Sequence, residues 1–118
     1  MVRILTRVTD SILAVDDSSS STTTTDSYVT QLETDINGFP NAVVQVKNTH
    51  ASNSLKYKID GTIDGSNYKA IVAETVLAFG VVDINLSTTG YVSLRIQAKN
   101  NASEVVSSCQ VWVHAVNP

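Results

Sequence analysis

The sequence has few charged residues, one cysteine and no long apolar run. Charged residues make up 16% of its 118 positions, against roughly a quarter in ordinary globular proteins. The single Cys109 excludes an intrachain disulfide, and no Cys/His spacing typical of a structural zinc site occurs. A run of about 18 apolar residues is absent, so no membrane-spanning helix is expected. Arg3, Arg7 and Asp10 interrupt the apolar residues of the N-terminus, which argues against a signal peptide.

The charge balance and the motif content also exclude several functions. A net charge of -3 with no basic run predicts no nucleic-acid partner. No Gly-x-Ser-x-Gly elbow or phosphate-binding loop is present, and neither His50 nor His114 has a second metal ligand at a usual spacing. We therefore expect no catalytic residue, no metal and no cofactor, and thus no enzyme. Asp60-Gly61 and Asp64-Gly65 resemble a cation loop but lack further oxygen donors, so we interpret them as strand and turn.

Serine, threonine and valine are abundant in this chain, whereas charged residues are few. The chain holds 13 Thr, 14 Ser and 17 Val, a composition typical of strands rather than helices. The whole pattern predicts an all-β fold, an antiparallel β-sandwich or jelly roll of seven to nine strands with an extended N-terminal arm.

Composition divides the chain into three parts. Residues 1–15 are predicted to be an N-terminal arm or first strands, residues 16–26 a Ser/Thr-rich linker or loop, and residues 27–118 the β-sandwich domain. An arm that cannot fold alone must pair with its own body or with the sheet edge of a neighbour. An ordinary first strand followed by a long loop is the alternative.

Alternation of apolar and polar residues marks the strands of the body. The clearest two-faced strand carries Leu55, Tyr57, Ile59 and Ile63, and Asp64-Gly65-Ser66-Asn67 follows it as a hairpin turn. The apolar parity switches at Gly80, which indicates a bulge or tight turn. A later strand places Val92, Leu94, Ile96 and Ala98 on one face. The last strand, from about 104 to 116, places Cys109, Val111, Val113 and Ala115 toward the core.

Two groups of residues are candidate partner contacts. The first is the apolar set of the arm, namely Val2, Ile4, Val8, Ile12 and Leu13. The second is the outer face of the last strand, which is too apolar for an ordinary solvated face and carries Val106, Trp112 and Val116. The alternative for Trp112 is a central strand that is covered on both sides.

Two stretches carry a resemblance to a known family: Leu55-Lys56-Tyr57-Lys58-Ile59-Asp60-Gly61-Thr62-Ile63-Asp64-Gly65-Ser66-Asn67-Tyr68-Lys69 and Gly90-Tyr91-Val92-Ser93-Leu94-Arg95-Ile96-Gln97-Ala98-Lys99-Asn100. Their succession of strands and turns resembles small tailed-bacteriophage virion proteins of the capsid decoration or cement type, over roughly residues 42 to 116.

The resemblance implies a non-enzymatic structural protein of the virion, assembled in the host cytoplasm. Its partner would be the major capsid protein or another virion protein, at the head or at a neck or tail joint. It would also be a homo-oligomer, with a trimer favoured. Asp-Gly-x-x-Tyr turns occur in carbohydrate-binding sandwiches as well. The alternative is therefore a glycan-binding or adhesion module with Tyr57, Tyr68, Tyr91 or Trp112 on one exposed platform.

Overall fold

A computed structural model describes the backbone of residues 2–8 and 11–116 and the side chains of residues 14–116. Within these ranges the chain forms strands and connecting turns and no helix, which confirms the all-β prediction. The strands are β1 (Val2–Val8), β2 (Ser11–Ser18), β3 (Thr22–Thr23), β4 (Val29–Asp35), β5 (Asn41–Asn48), β6 (Leu55–Thr62), β7 (Tyr68–Leu77), β8 (Gly80–Ser87), β9 (Ser93–Asn100) and β10 (Ser108–Val116). Nine of them have seven or more residues, and β3 has two.

The strands form two antiparallel sheets. Sheet A has the order β1-β2-β10-β5-β8, with β3 also paired to β10, and sheet B has the order β4-β9-β6-β7. The strand pairs are nested. The outermost pair is β2 with β10, and inside it follow β4 with β9, β5 with β8 and β6 with β7. One long hairpin rolled into two sheets is the jelly-roll form of the sandwich. The β1 strand is an addition to it, outside β2.

The core lies between the two sheets. Val44 and Val46 of β5 and Val111 of β10 face it from sheet A, and Ile59 and Ile96 face it from sheet B, all with no exposed surface. Alternate residues of β5, β9 and β10 point inward, so the valine-rich and isoleucine-rich parity predicted from the sequence is the parity that is buried. The predicted core face of the last strand is confirmed as well.

The Ser/Thr-rich segment differs from the expected linker. Asp16–Ser18 end β2, and Thr22–Thr23 pair with β10. Thr24 is 1% exposed, and its hydroxyl donates to Asn100 Oδ1 at 2.5 Å. The composition is misleading here because a hydroxyl can be buried at little cost when the fold supplies its hydrogen-bond partner. These residues therefore belong to the sandwich, and the strand alternative describes them better than a tethered arm.

Several boundaries also differ from expectation. The β6 strand ends at Thr62, so Ile63 enters the hairpin and is 70% exposed rather than part of the core face. The β10 strand begins at Ser108, which leaves Val106 in the preceding loop. The parity switch at Gly80 marks the crossing from β7 in sheet B to β8 in sheet A, and this glycine has a φ of +79°. Such a left-handed backbone favours glycine.

Candidate functional site

The five predicted contact residues of the arm lie on one hairpin at the edge of sheet A. Val2, Ile4 and Val8 are on β1, whereas Ile12 and Leu13 are on β2; their side chains are outside the described set. Within the described part of the chain, β1 pairs on one side only, with β2. Among the described residues, β2 pairs with β10 over Ala14–Ser18. The edge of β1 that faces away from β2 has no partner strand in this part of the chain.

The base of this hairpin is anchored to both sheets. The buried Asp17 carboxylate accepts a hydrogen bond from the Thr34 hydroxyl of β4 at 2.7 Å. The His114 ring nitrogen Nδ1 contacts Asp16 Oδ1, at positions that are direct partners in the β10–β2 ladder. Val111 N donates to Ser19 Oγ at 3.0 Å just beyond β2. These contacts hold β2, and through it β1, at a fixed position on the body.

Trp112 lies on the outer face of sheet A, where β10 is a central strand between β2 and β5. It is partly buried and lines an open groove of about 530 Å³ together with Asp16, Gln45, Asp83 and His114. Gln45 Nε2 donates to Asp83 Oδ1 at 2.8 Å, which fixes both side chains at one wall of the groove. The strand is thus central, as in the alternative for Trp112, while its outer face borders an open groove.

The three predicted residues of the last strand do not form one patch. Val116 is on the same face as Trp112 but lines a neighbouring groove of about 300 Å³ with Val43 and Asn85. Val106 lies in the β9–β10 loop, 43% exposed, and its carbonyl accepts a hydrogen bond from Asn53 Nδ2 at 2.8 Å. The role of all three as partner contacts stays a prediction.

The four aromatic residues expected on the platform of a glycan-binding module do not share one face. Tyr57 is 4% exposed and belongs to the core. Tyr68 lies on the outer face of sheet B, where the Arg95 guanidinium stacks on its ring at 4.0 Å. Trp112 is on the opposite outer face of the sandwich, in sheet A. Tyr57, Tyr68 and Trp112 therefore cannot contact one sugar chain together, whereas Tyr68 and Tyr91 line one groove of about 350 Å³.

Two tyrosines lie across the outer face of sheet B. Tyr68, from β7 at one edge, donates its hydroxyl to Glu33 of β4 at the other edge. Tyr28, just before β4, donates to Glu74 Oε2 of β7 at 2.5 Å, and the Lys58 ammonium lies 4.7 Å from its ring centre. Burial, and then the hydrogen bond to Glu33, raise the pKa of Tyr68 to about 12. The two phenols link the edge strands of this sheet.

Residues with possible chemistry are held apart or occupied. Ser108 and His114 lie six residues apart on one strand, roughly 20 Å at the usual rise, so no Ser/His pair forms there. The Ser107 hydroxyl donates to Asn48 Oδ1 at 2.9 Å. Burial raises the pKa of Cys109 to about 12 and keeps its thiol neutral. Among the described side chains, no three His, Cys, Asp or Glu residues are grouped so that they could hold a metal ion.

The two carboxylates of the possible cation loop have separate structural roles. Asp60 accepts a hydrogen bond from Arg95 Nη2 at 2.9 Å. Asp64 Oδ1 accepts from the backbone N–H groups of Ser66 and Asn67, each at 2.8 Å, and these bonds lower the pKa of Asp64. The interpretation as strand residue and hairpin turn is therefore confirmed.

Over the described residues, the structure contains no helix with the length and apolar character of a membrane span.

Sequence reasoning missed an apolar side of the sandwich. Strands β7 and β8 are the edge strands of the two sheets, and the turn between them exposes 75% of Phe79. Val76 and Val81 are 53% and 54% exposed on either side of it. The sequence feature that could have revealed this apolar side is Gly80. The apolar parity changes at this glycine, which indicates that the apolar residues next to it lie at a turn and not within one continuous strand.

No family model matches the chain, and no curated protein is similar to it in sequence. Solved structures do share its fold. A subunit of the Bacillus endospore appendages, described as a family of disulfide-linked pili, has a TM-score of 0.54 at 11% identity over 99% of this chain and 100% of that one. The Yersinia pseudotuberculosis-derived mitogen has a TM-score of 0.53 at 15% identity over 86% of both chains.

The VP2 subviral particle of infectious bursal disease virus provides a third similar structure, with a TM-score of 0.52 at 8% identity. The match covers 98% of this chain and 38% of the VP2 chain. At these identities the likeness concerns the fold alone. The chain therefore shares its β-sandwich fold with a viral particle subunit, a pilus subunit and a mitogen.

Proposed function

We propose that the protein is a non-enzymatic structural component of a virion, of the capsid decoration or cement type or part of a neck or tail joint. It would bind the major capsid protein or another virion protein through its N-terminal hairpin and its sheet edges. The observation that carries this proposal is the edge of β1, which among the described strands pairs with β2 alone. An unpaired strand edge is a ready template for pairing with another chain.

The fold and the anchoring of the hairpin support a role in assembly. Jelly rolls form capsid subunits as well as lectins, and one similar structure belongs to a viral particle. The buried Asp17 and its bond to Thr34 hold the hairpin base firmly, so binding would need little ordering of β2. Many identical contacts on a symmetric shell would add up to high avidity even if each were weak.

The similarity to pilus subunits does not extend to covalent linkage. Those appendages are described as disulfide-linked. In this chain the single Cys109 has no exposed surface, and burial keeps its thiol protonated. A bond between copies through this sulfur would require local unfolding of β10, so attachment would be non-covalent.

The test is quantitative mass spectrometry of gradient-purified virions from cells that express the full chain or a chain lacking residues 1–10, which removes β1 and keeps β2. We expect the full chain to be a stoichiometric component of the particles and the shortened chain to be lost from them. A matched control, Ile63→Ser, changes an exposed apolar residue in the β6–β7 turn of the other sheet and should leave incorporation unchanged. Absence of the full chain from purified particles would refute the proposed function.

A further inference from the structure

We propose that copies of this chain join edge to edge, with the free edge of β1 in one copy pairing with the free edge of β8 in the next. Sheet A would then continue from subunit to subunit. This inference rests on the proposed function and names one partner, a second copy of the chain. It begins from the fact that β1 and β8 are the two edges of the same sheet.

The β8 strand is an unprotected edge. It pairs with β5 over eight consecutive positions without a register shift. Its sequence has no lysine and no proline, the residues that commonly block edge pairing. By contrast, β7 at the edge of sheet B pairs with β6 through two register shifts, which discourage addition of a strand, whereas the β1–β2 ladder has one, between Thr6 and Arg7.

The environment of β8 indicates a missing neighbour. Val82 and Ile84 point toward the core but remain partly exposed, whereas Val44 and Val46 on the adjacent β5 are fully buried. Val81 beside them is 54% exposed. A strand added along β8 would cover apolar surface that the monomer leaves in water, which favours association.

The charges of the two edges are complementary. The β1 strand carries Arg3 and Arg7 and no acidic residue, whereas β8 carries Asp83 and no basic residue. The strands have seven and eight residues, so they can overlap along their full length. With their centres aligned in either direction, Arg3 or Arg7 lies within about two positions of Asp83 along the joint.

The pairing would be head to tail, because it joins two different edges. Such a contact produces a ring if the rotation between copies closes and a filament if it does not. A closed ring of three would agree with the trimer favoured by the sequence resemblance.

The experiment is sedimentation velocity of the full chain over a range of concentrations, with charge variants. Asp83→Lys should weaken self-association by on the order of tenfold, because it places like charges across the joint. Glu104→Lys is the matched control: it makes the same change in net charge in an exposed loop and should have no effect. Arg3→Glu with Arg7→Glu should weaken association, and adding Asp83→Lys to that variant should restore it.

Circular dichroism and thermal unfolding of each variant separate loss of pairing from loss of folding. Recovery in the charge-swapped variant supports the β1–β8 joint, since a general defect would not be repaired by a third change. A wild-type chain that stays monomeric, or equal effects of Asp83→Lys and Glu104→Lys, would overturn the joint. If the chain is monomeric but is still incorporated into particles, the joint is refuted and the proposed function stands. If the chain forms a charge-dependent oligomer but is absent from particles, the joint stands and the proposed function is refuted.

Discussion

The ion pair between Asp60 and Arg95 on the outer face of sheet B provides the most demanding test of the fold. Asp60 is 3% exposed, and its Oδ2 accepts hydrogen bonds from Arg95 Nη2 at 2.9 Å and Nε at 3.3 Å. The Tyr68 ring covers the guanidinium from the other side. Arg95→Met removes both donors and keeps an apolar side chain under the ring, so Asp60 becomes a buried carboxylate without its counterion.

The expected cost follows from burial. Breaking a buried ion pair from one side costs about 3–5 kcal/mol. Because the Arg95 side chain is 27% exposed and water can reach the site, we expect about 2–4 kcal/mol for Arg95→Met. Asp60→Asn should cost only about 1 kcal/mol, since Arg95 is then free to turn toward solvent. For a chain of 118 residues, each kcal/mol lowers the melting temperature by about 4 °C.

The assay is urea unfolding of the wild type, both single variants and the double variant. The double variant should be more stable than the sum of the two single costs predicts, by at least about 1 kcal/mol. The reasoning is refuted if Arg95→Met is as stable as Asp60→Asn, or if the two costs simply add. Either result would mean that water or another group neutralises the Asp60 carboxylate.

Three further predictions concern other parts of the molecule. A Cβ at Gly61 would lie 2.6 Å from both Ile71 Cδ1 and Tyr91 Cδ1. Gly61→Ala should therefore destabilise the fold by about 1–3 kcal/mol in urea unfolding. The crowding argument fails if the cost of Gly61→Ala is no smaller in a chain that also carries Ile71→Ala. The folded-state pKa of Tyr68, about 12, is above its ordinary value of 10.0, so its contribution to stability should be complete below pH 10 and lost as pH rises toward 12. Unfolding measured across that range should show less decline in Tyr68→Phe, and an unchanged decline would contradict the assignment. Cys109 should not react with a thiol reagent in the native protein and should give one thiol per chain in denaturant; rapid native reaction would show that β10 opens readily.

Local patterns predicted those parts of the fold that depend on local alternation. Leu55, Tyr57 and Ile59 were assigned to one buried face, and the structure confirms it, because the side-chain period of a strand is fixed by its backbone. The Ser/Thr segment could not be assigned in the same way. The partner of the buried Thr24 hydroxyl, Asn100, lies 76 residues away, and composition carries no information on contacts at that separation.

The candidate site was predicted only in part for the same reason. The sequence indicated an unusual outer face around Trp112 and an N-terminal segment in need of a partner. That β1 and β8 are the two edges of one sheet depends on strand order, which follows from pairings between distant segments. The 75% exposure of Phe79 likewise arises because the chain changes sheets there.

The nested pairing of the strands also determines when the hairpin can be placed during synthesis. The strand that positions β2 is β10, and the contacting pair Asp16 and His114 are 98 residues apart. At the usual rate of about 5–20 residues per second, the ribosome needs roughly 5–20 s between them. A two-stranded hairpin is only marginally stable alone, so in that interval β1 has no fixed location. A chain that terminates before β10 lacks the strand that pairs with β2, so incomplete translation products would not hold β1 at the edge of sheet A.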